Sequence, residues 1–258
     1  GSFVEIPQGG VVTFDEPVEG HKKTLYFSKF GLGCQVTEEM YEDDLTGNFS
    51  RLPTKLAKSG RMKMDADYFA IFNNAFSGTT YLSWDNQNIC DTDHKTLKTG
   101  ESICNDGSSG TGVSLSETGL QAAFEYFASL VDESGFPLIM EGPYTLLVPR
   151  QLRWMVAKLA KNEGKVGVFD NDINTVRPVN ISGPTGMPDS WTPHISRWLT
   201  DADNWFLIAR NHDARLVMKR NMRLQSSDDF ATGSRLFKAT TRYGVGVFDY
   251  KGIYGSAP

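Results

Sequence analysis

The residue types best suited to chemistry form one short cluster, Cys90, Asp91, Asp93 and His94, with Cys104 nearby. Thiolate, carboxylate and imidazole groups all bind metal ions, so this cluster is the strongest candidate for a metal site. Its spacing matches no zinc motif, because the three cysteines of the chain are widely spaced and form no Cys-x-x-Cys pair. A polar turn from Asp91 to His94 explains the same residues. We therefore predict neither a metal nor a cofactor.

Other patterns that would support enzyme chemistry are incomplete. The glycine-rich stretch 107–112 lacks the Gly-Lys-Ser/Thr ending of a phosphate-binding loop. The four histidines lie far apart, and no Gly-x-Ser-x-Gly or His-Glu-x-x-His motif accompanies them. Trp191, Trp198 and Trp205 recur every seven residues, but acidic residues flank them. Acidic flanks repel phosphates, so these rings are better explained as core or interface aromatics than as a base-stacking surface.

The charge of the chain is unevenly distributed. The net charge is −5, yet residues 210–258 hold nine Lys and Arg against four Asp and Glu. The first twenty residues contain four acids and no Lys or Arg, which argues against a basic arm that binds nucleic acid. No apolar run approaches the roughly 18 residues that cross a membrane. The composition therefore predicts a globular chain with no membrane partner.

The first third of the chain predicts a projecting loop and a long helix. Residues 11–14 and 24–27 have the composition of two strands that flank a charged tip, although an ordinary surface hairpin explains the same pattern. Thr37 is a suitable N-cap for a short acidic helix. From Pro53, apolar residues recur with mostly helical spacing, which predicts one long helix weakened near Gly60.

The middle of the chain predicts alternating helices and strands. Ser114 to Glu117 matches a Ser-x-x-Glu capping box, and an apolar stripe follows it as far as the stop signal at Gly135. Residues 144–148 predict a short buried strand. Pro149 then opens a second helix.

The end of the chain predicts two paired strands. Residues 216–224 and 237–247 each alternate apolar and polar side chains with period two, apart from a misfit at Arg220. The polar loop between them contains Gly233, so we predict an antiparallel pair with one covered face. Helices and strands together predict an α+β fold.

The order of these segments resembles that of the major head (capsid) subunit of Mu-like tailed phages. The resemblance covers about residues 5–256, and those subunits have the capsid fold named for Hong Kong phage 97. It rests on Pro137 to Met140, Tyr144 to Pro149, a helix ending near Gly164, Trp198-Leu199, Trp205 to Ile208 and the paired strands.

The resemblance implies how the chain divides into domains. It implies an N-terminal arm, an extended loop that lies across a neighbouring subunit, and a peripheral domain whose main helix is called the spine helix. The implied bounds are 1–10 for the arm, 11–34 for the loop, 35–78 for the peripheral domain with the spine helix, 79–209 for the central (axial) domain, and 210–258 for the peripheral strands.

The resemblance also implies a structural function, that of a major capsid protein of a tailed bacteriophage or prophage. Its copies would assemble as hexamers and pentamers into an icosahedral shell around double-stranded DNA, bound without sequence specificity. The implied partners are further copies of the chain, a portal, a scaffold or maturation protease, and a decoration protein. The implied location is the virion capsid, assembled in the host bacterial cytoplasm.

Two alternatives stay open at this point. An encapsulin-like nanocompartment has the same fold and differs in its cargo. An unrecognised soluble α+β enzyme would assemble its site only in the tertiary fold, where sequence spacing does not reveal it. We predict no catalytic residues.

The residues predicted to contact other subunits are charged or aromatic and lie in three segments. The acids near residue 40 and the bases near residue 220 are predicted to meet, either within one subunit or across a subunit contact. In some relatives a loop lysine cross-links to a neighbour, and Lys22 or Lys23 lies where such a lysine would be. The contact residues are Asp15, Glu16, Glu19, Lys22, Lys23, Tyr26, Phe27, Glu38, Glu42, Asp43, Arg215, Lys219 and Arg223.

Overall fold

In a computed structural model, the fold consists of two larger β-sheets, a long helix that contacts both of them, and a small two-stranded sheet in which β2 pairs with β3. The structure describes residues 5–12, 14, 20–96, 100–107, 112–132, 135–138, 140, 142–161 and 191–258. In chain order the elements are β1 (Ser28–Val36), α1 (Glu38–Glu42), α2 (Leu52–Asn73), β2 (His94–Lys95), β3 (Ser102–Ile103), α3 (Glu117–Ser129), β4 (Tyr144–Pro149), α4 (Arg153–Lys161), β5 (Trp191–Ser196), β6 (Trp205–Ile208), β7 (Ala214–Asp228), β8 (Arg235–Val247) and β9 (Ile253–Ser256).

The first sheet has the order β1-β8-β7, and both of its strand pairs are antiparallel. Helix α2 packs across one face of this sheet. Gly60 lies in the middle of the helix, and a Cβ atom there would come within 2.6 Å of Met222 Cε on β7. The end of the flexible Met222 side chain therefore occupies the space beside Gly60, where the helix packs on the sheet.

The second sheet has the order β5-β4-β6-β9, in which only the β4–β5 pair is parallel. Helices α3 and α4 bury their apolar side chains against one face of it, where Leu146 and Leu207 are fully buried. The end of α2 packs on the other face, where Phe72 contacts Phe206 edge-on with ring centroids 5.3 Å apart. Helix α2 therefore links the cores of the two sheets.

Most of the predicted elements are confirmed. Helix α2 begins with Pro53 in its first turn, and the Thr37 hydroxyl caps α1 by accepting from the Met40 amide at 3.4 Å. Strands β7 and β8 pair as predicted, and the register shifts on both sides of Arg220. The sequence misfit at Arg220 is therefore a β-bulge, because β7 has one extra residue on each side of Arg220 relative to β8. The predicted helix end at Gly164 lies outside the described residues.

Two local predictions are wrong. The cap of α3 is Ser116, whose hydroxyl accepts from the Gly119 amide at 3.1 Å, and the predicted box began two residues earlier. Residues 24–27 are not a strand, because β1 begins at Ser28 opposite Tyr243. The described residues of 11–14 are not in a strand either. Alternation alone makes a strand only where a neighbouring strand completes its hydrogen bonds.

Candidate functional site

Within the sequence cluster, His94 is a buried structural residue. The His94 ring is fully buried, its Nδ1 lies 2.6 Å from Asp85 Oδ2, and it stacks on Tyr250 with centroids 3.8 Å apart. The predicted polar turn is confirmed, because the Asp91 carboxylate accepts from the amides of Thr92 and Asp93. In the described part of the chain, no three His, Cys, Asp or Glu residues are placed to hold a metal ion.

Two of the three tryptophans that recur every seven residues lie in the core. Trp191 and Trp205 are buried in the core around α3, and the Trp205 indole donates to the Val113 carbonyl at 2.7 Å. They are core aromatics, as predicted.

Among the described residues, no helix is both long and apolar enough to span a bilayer.

The segment before β1, residues 11–27, is anchored to the subunit at its C-terminal end. The His21 ring stacks on Trp84 with centroids 3.4 Å apart, and Lys23 Nζ donates to the Ser83 carbonyl at 2.9 Å. A Cβ atom on Gly244 would lie 2.6 Å from the Tyr26 carbonyl oxygen, so the glycine allows this segment to lie against β8. The Lys23 amine is therefore occupied within its own chain.

The N-terminal end of this segment exposes large apolar side chains. Val11 is 87% exposed, Val12 57% and Phe14 92%. At the other end of the segment, the Tyr26 side chain is also 83% exposed. Apolar groups of this size contribute little to the subunit that leaves them in water, and such patches usually mark contacts with other proteins. The predicted contact residues Asp15, Glu16 and Glu19 lie outside the described residues.

The five acidic residues near residue 40 have two kinds of environment. Asp44 stabilises the turn before α2, because its carboxylate accepts hydrogen bonds from the amides of Thr46, Asn48 and Phe49 at 3.2, 3.1 and 2.8 Å. The Phe49 hydrogen bond is the main reason that the pKa of Asp44 is lowered. The other four acids, Glu38, Glu39, Glu42 and Asp43, are exposed on or beside α1.

The predicted pairing of these acids with the bases of β7 does not occur inside the described part of the subunit. Arg215 forms its ion pair with Asp213. The ammonium group of Lys219 lies over the Phe27 ring, 5.4 Å from its centroid. Arg223 is exposed on the hairpin. Helix α1 instead approaches the turn between β7 and β8, where the Arg235 guanidinium lies 4.6 Å from the centroid of the Tyr41 ring.

Sequence reasoning missed three cations, Lys29, Lys238 and Arg242, which the sheet register groups with Arg220 and Arg223. Lys29, Arg220, Lys238 and Arg242 project from the three strands of the first sheet on the face opposite α2. Sequence alternation indicates that each strand has two faces, but it does not show which residues of distant strands lie side by side. Only the pairing of β1 with β8 brings Lys29 beside Arg242.

A cleft of about 800 Å³ lies between α2 and the second sheet. Aromatic side chains line it, including Phe69, whose ring stacks on His194 with centroids 5.9 Å apart. Arg61, Arg197 and Arg210 also line it and are exposed. Of the three, Arg61 forms an ion pair, to Asp65 at 3.6 Å. The cleft is therefore suited to a segment that carries both apolar and acidic side chains.

Comparison with known proteins yields one family and one fold. A sequence profile described as phage capsid protein matches residues 22–256. None of the curated protein sequences compared with this chain matches it. The capsid of Ralstonia phage GP4 is similar in structure, with 10% identity and a TM-score of 0.55 over 96% of this chain and 80% of that chain.

Two further solved structures are similar. A capsid chain of an empty GTA particle, computed with C5 symmetry, has 13% identity and a TM-score of 0.53 over 89% of this chain and 72% of that chain. A chain of Microbacterium phage Oxtober96 has 12% identity and a TM-score of 0.50 over 92% of this chain and 74% of that chain. At these identities the likeness shows the fold alone, and it confirms the predicted α+β capsid fold.

Proposed function

Since the chain belongs to the phage capsid protein family, we propose that its copies assemble, as hexamers and pentamers, into a closed icosahedral shell. Membership of the family makes the chain a structural protein of the virion capsid and not an enzyme. It also favours a phage head over the encapsulin-like alternative. The narrower resemblance to Mu-like subunits stays a prediction.

The observation that carries the proposed assembly is the exposure of Val11, Val12 and Phe14, which are 87%, 57% and 92% exposed in the single subunit. Covering apolar surface is the main source of affinity between proteins. The same segment continues into Asp15, Glu16 and Glu19. An apolar and acidic segment of this kind matches the aromatic, arginine-containing cleft between α2 and the second sheet. We place the segment of one subunit in the cleft of its neighbour.

The proposed division into domains is the one that the family resemblance implies. The peripheral domain would contain residues 35–78 and the strands of 210–258, and the axial domain residues 79–209. Strand β9 pairs with β6 of the second sheet, so the C-terminal end of the chain contributes to the core of both units. The arm, 1–10, and the loop, 11–34, precede them.

The proposed partners follow from the family. The shell would enclose double-stranded DNA without sequence specificity, and a portal, a scaffold or maturation protease and a decoration protein would act with it. Assembly would take place in the host bacterial cytoplasm. Each contact between subunits can be weak, because a closed shell repeats it many times and overall affinity grows with the number of contacts.

Deletion of residues 11–19 tests the proposed assembly. This deletion keeps His21 and Lys23, which anchor the segment, so the subunit should fold with an unchanged melting temperature. We expect it to form no closed shells by electron microscopy and gradient sedimentation. A matched control is Trp154→Ser, which removes an exposed aromatic side chain from α4. Closed shells from the deletion variant at the wild-type yield would contradict the proposal.

A further inference from the structure

The face of the first sheet opposite α2 carries a row of like charges. Lys29 of β1 pairs with Arg242 of β8, and Arg242 pairs with Arg220 of β7. Neighbouring strands are about 4.8 Å apart, so these three cations lie side by side across the sheet. On β8, Arg242 alternates with Thr241 and Tyr243, which are buried on the α2 side. The row therefore faces away from the helix.

Two more cations extend this row into a patch, which we call the basic face: Lys29, Arg220, Arg223, Lys238 and Arg242. Arg223 is opposite Thr240, and Lys238 is opposite Gly33 of β1. Within the described part of the chain, none of the five forms an ion pair. Arg220 also has its Nε atom buried without a hydrogen-bond partner there. Beyond Lys29, the glycines at 31 and 33 leave this face of β1 without side chains at those two positions.

The basic face costs the isolated subunit stability. Like charges directly opposite each other on a sheet are destabilising, and a buried guanidinium nitrogen without an acceptor adds a desolvation cost. Carboxylates from outside the subunit would remove both costs, since arginine and carboxylate form short, charge-assisted hydrogen bonds.

We propose that the basic face binds the acidic helix α1 of a second copy of this chain. Helix α1 and the residue after it present Glu38, Glu39, Glu42 and Asp43, all exposed and without an ion pair in the described part of their own subunit. The contact of Tyr41 with Arg235 holds α1 against the hairpin. This inference rests on the proposed function and names a contact through which the shell assembles.

The two surfaces differ, so the contact is heterologous. A head-to-tail contact of this kind closes into rings when the rotation between copies permits it, as capsomers require. Packaged DNA is the other polyanion that this face would meet. The net charge of −5 on the chain disfavours binding to DNA. Binding to DNA would also leave the acids of α1 without a positively charged partner. A second copy neutralises both surfaces.

Charge reversal and rescue test the contact. Lys238→Glu with Arg242→Glu reverses the basic face, and Glu42→Lys with Asp43→Lys reverses α1. Each pair alone should lower the yield of closed shells by about tenfold or more, because the shell repeats the contact. All four changes in one chain should restore shells, because every copy again presents complementary surfaces. Lys158→Glu on α4, an exposed site elsewhere, is the control and should assemble normally.

A conservative variant keeps the test independent of folding. Arg242→Gln breaks the row of like charges, so the subunit should melt at a higher temperature while its shell yield falls. Raising salt should weaken wild-type assembly, because screening acts over about 8–10 Å at ordinary ionic strength, and should weaken assembly of Arg242→Gln less. A higher melting temperature with unchanged shell yield would overturn the proposal.

The outcomes separate this inference from the proposed function. A wild-type chain that stays monomeric at every concentration contradicts the proposed function itself. Wild-type shells together with no rescue by the fourfold variant contradict only the contact. Normal shells from Lys238→Glu/Arg242→Glu that no longer protect DNA from nuclease would assign the basic face to DNA and overturn the inference.

Discussion

The Tyr243 hydroxyl on β8 donates a 2.6 Å hydrogen bond to Asp67 Oδ2 on α2, and it joins the long helix to the central strand of the first sheet. The other oxygen of Asp67 accepts from Lys63 Nζ, also at 2.6 Å. One carboxylate therefore binds a hydroxyl of the sheet and an ammonium of the helix. Because Tyr243 is buried and its acceptor is charged, this bond is stronger than a neutral surface hydrogen bond.

Tyr243→Phe should lower the free energy of unfolding by about 1.5–3 kcal/mol, the usual range for a hydrogen bond to a charged group. The ring stays in place, so its stacking on Phe30, with centroids 4.5 Å apart, is kept. Thermal unfolding at neutral pH measures the loss. A melting temperature equal to that of wild type would mean that water replaces the bond without cost.

The same pair gives an expectation for alkaline pH. Burial, and then the hydrogen bond to Asp67, raise the pKa of Tyr243 above its usual value near 10. A group whose pKa is raised on folding stabilises the protein below its unfolded pKa, and this contribution is lost as pH rises through the folded pKa. The difference in stability between wild type and Tyr243→Phe should therefore shrink above about pH 10. Denaturant titrations from pH 8 to 11 measure it, and a constant difference would contradict the assignment.

Phe124→Ala should destabilise the second core by about 3–5 kcal/mol, the usual cost of removing a buried aromatic ring. Phe124 lies in the core between α3 and the second sheet, and its ring meets Tyr144 edge-on with centroids 5.5 Å apart. The yield of soluble subunit should fall before any assembly defect is visible. Glu125→Ala on the exposed side of α3 is the matched control, with a melting temperature within a degree or two of wild type.

The successful predictions were those in which the pattern is local. The apolar stripe of α3 and the first-turn proline of α2 identify helices, because helical side chains meet at three- and four-residue spacing within one segment. The bulge at Arg220 was visible as a break in a two-residue period. Each of these signals needs no information about the rest of the chain.

The failures depended on contacts between distant segments. Residues 24–27 have strand composition, but they do not form a strand. They lie against β8 at Gly244, where the missing side chain lets the Tyr26 carbonyl come close to the backbone. The acids of α1 and the bases of β7 were expected to meet within one subunit or across a subunit contact. They do not meet within the described part of one subunit, and the contact between subunits stays a prediction. The cations that form the basic face come from three strands. Alternation of apolar and polar residues shows the two faces of one strand, but it does not show which strands are neighbours in the sheet.

Gly244→Ala and Gly60→Ala should have opposite effects, although both add one methyl group. At Gly244 the new Cβ would lie 2.6 Å from a backbone oxygen of Tyr26, which moves only if the segment detaches. We expect a lower melting temperature and fewer shells. At Gly60 the new Cβ would meet the flexible end of Met222, and alanine favours a helix by about 1 kcal/mol. That variant should be as stable as wild type or more stable, and equal losses in both variants would refute this account.

Arg197→Glu with Arg210→Glu should weaken assembly without unfolding the subunit. Both side chains are exposed in the cleft between α2 and the second sheet. Surface substitutions of this kind usually change the stability of the subunit by less than about 0.5 kcal/mol. The acidic stretch Asp15 to Glu19 of a neighbour would then face acids, so shells should form only at higher protein concentration. Light scattering against concentration measures the shift.

A peptide covering residues 9–20 provides the complementary measurement. Added in excess to wild-type subunits, it should slow assembly, because it occupies the cleft that the neighbouring segment requires. A peptide of the same composition in scrambled order is the control, and the arginine variant should be insensitive to both peptides. Inhibition that is equal for the two peptides would reflect charge screening alone. Inhibition of the arginine variant as strong as that of wild type would place the docking surface of the segment elsewhere on the subunit.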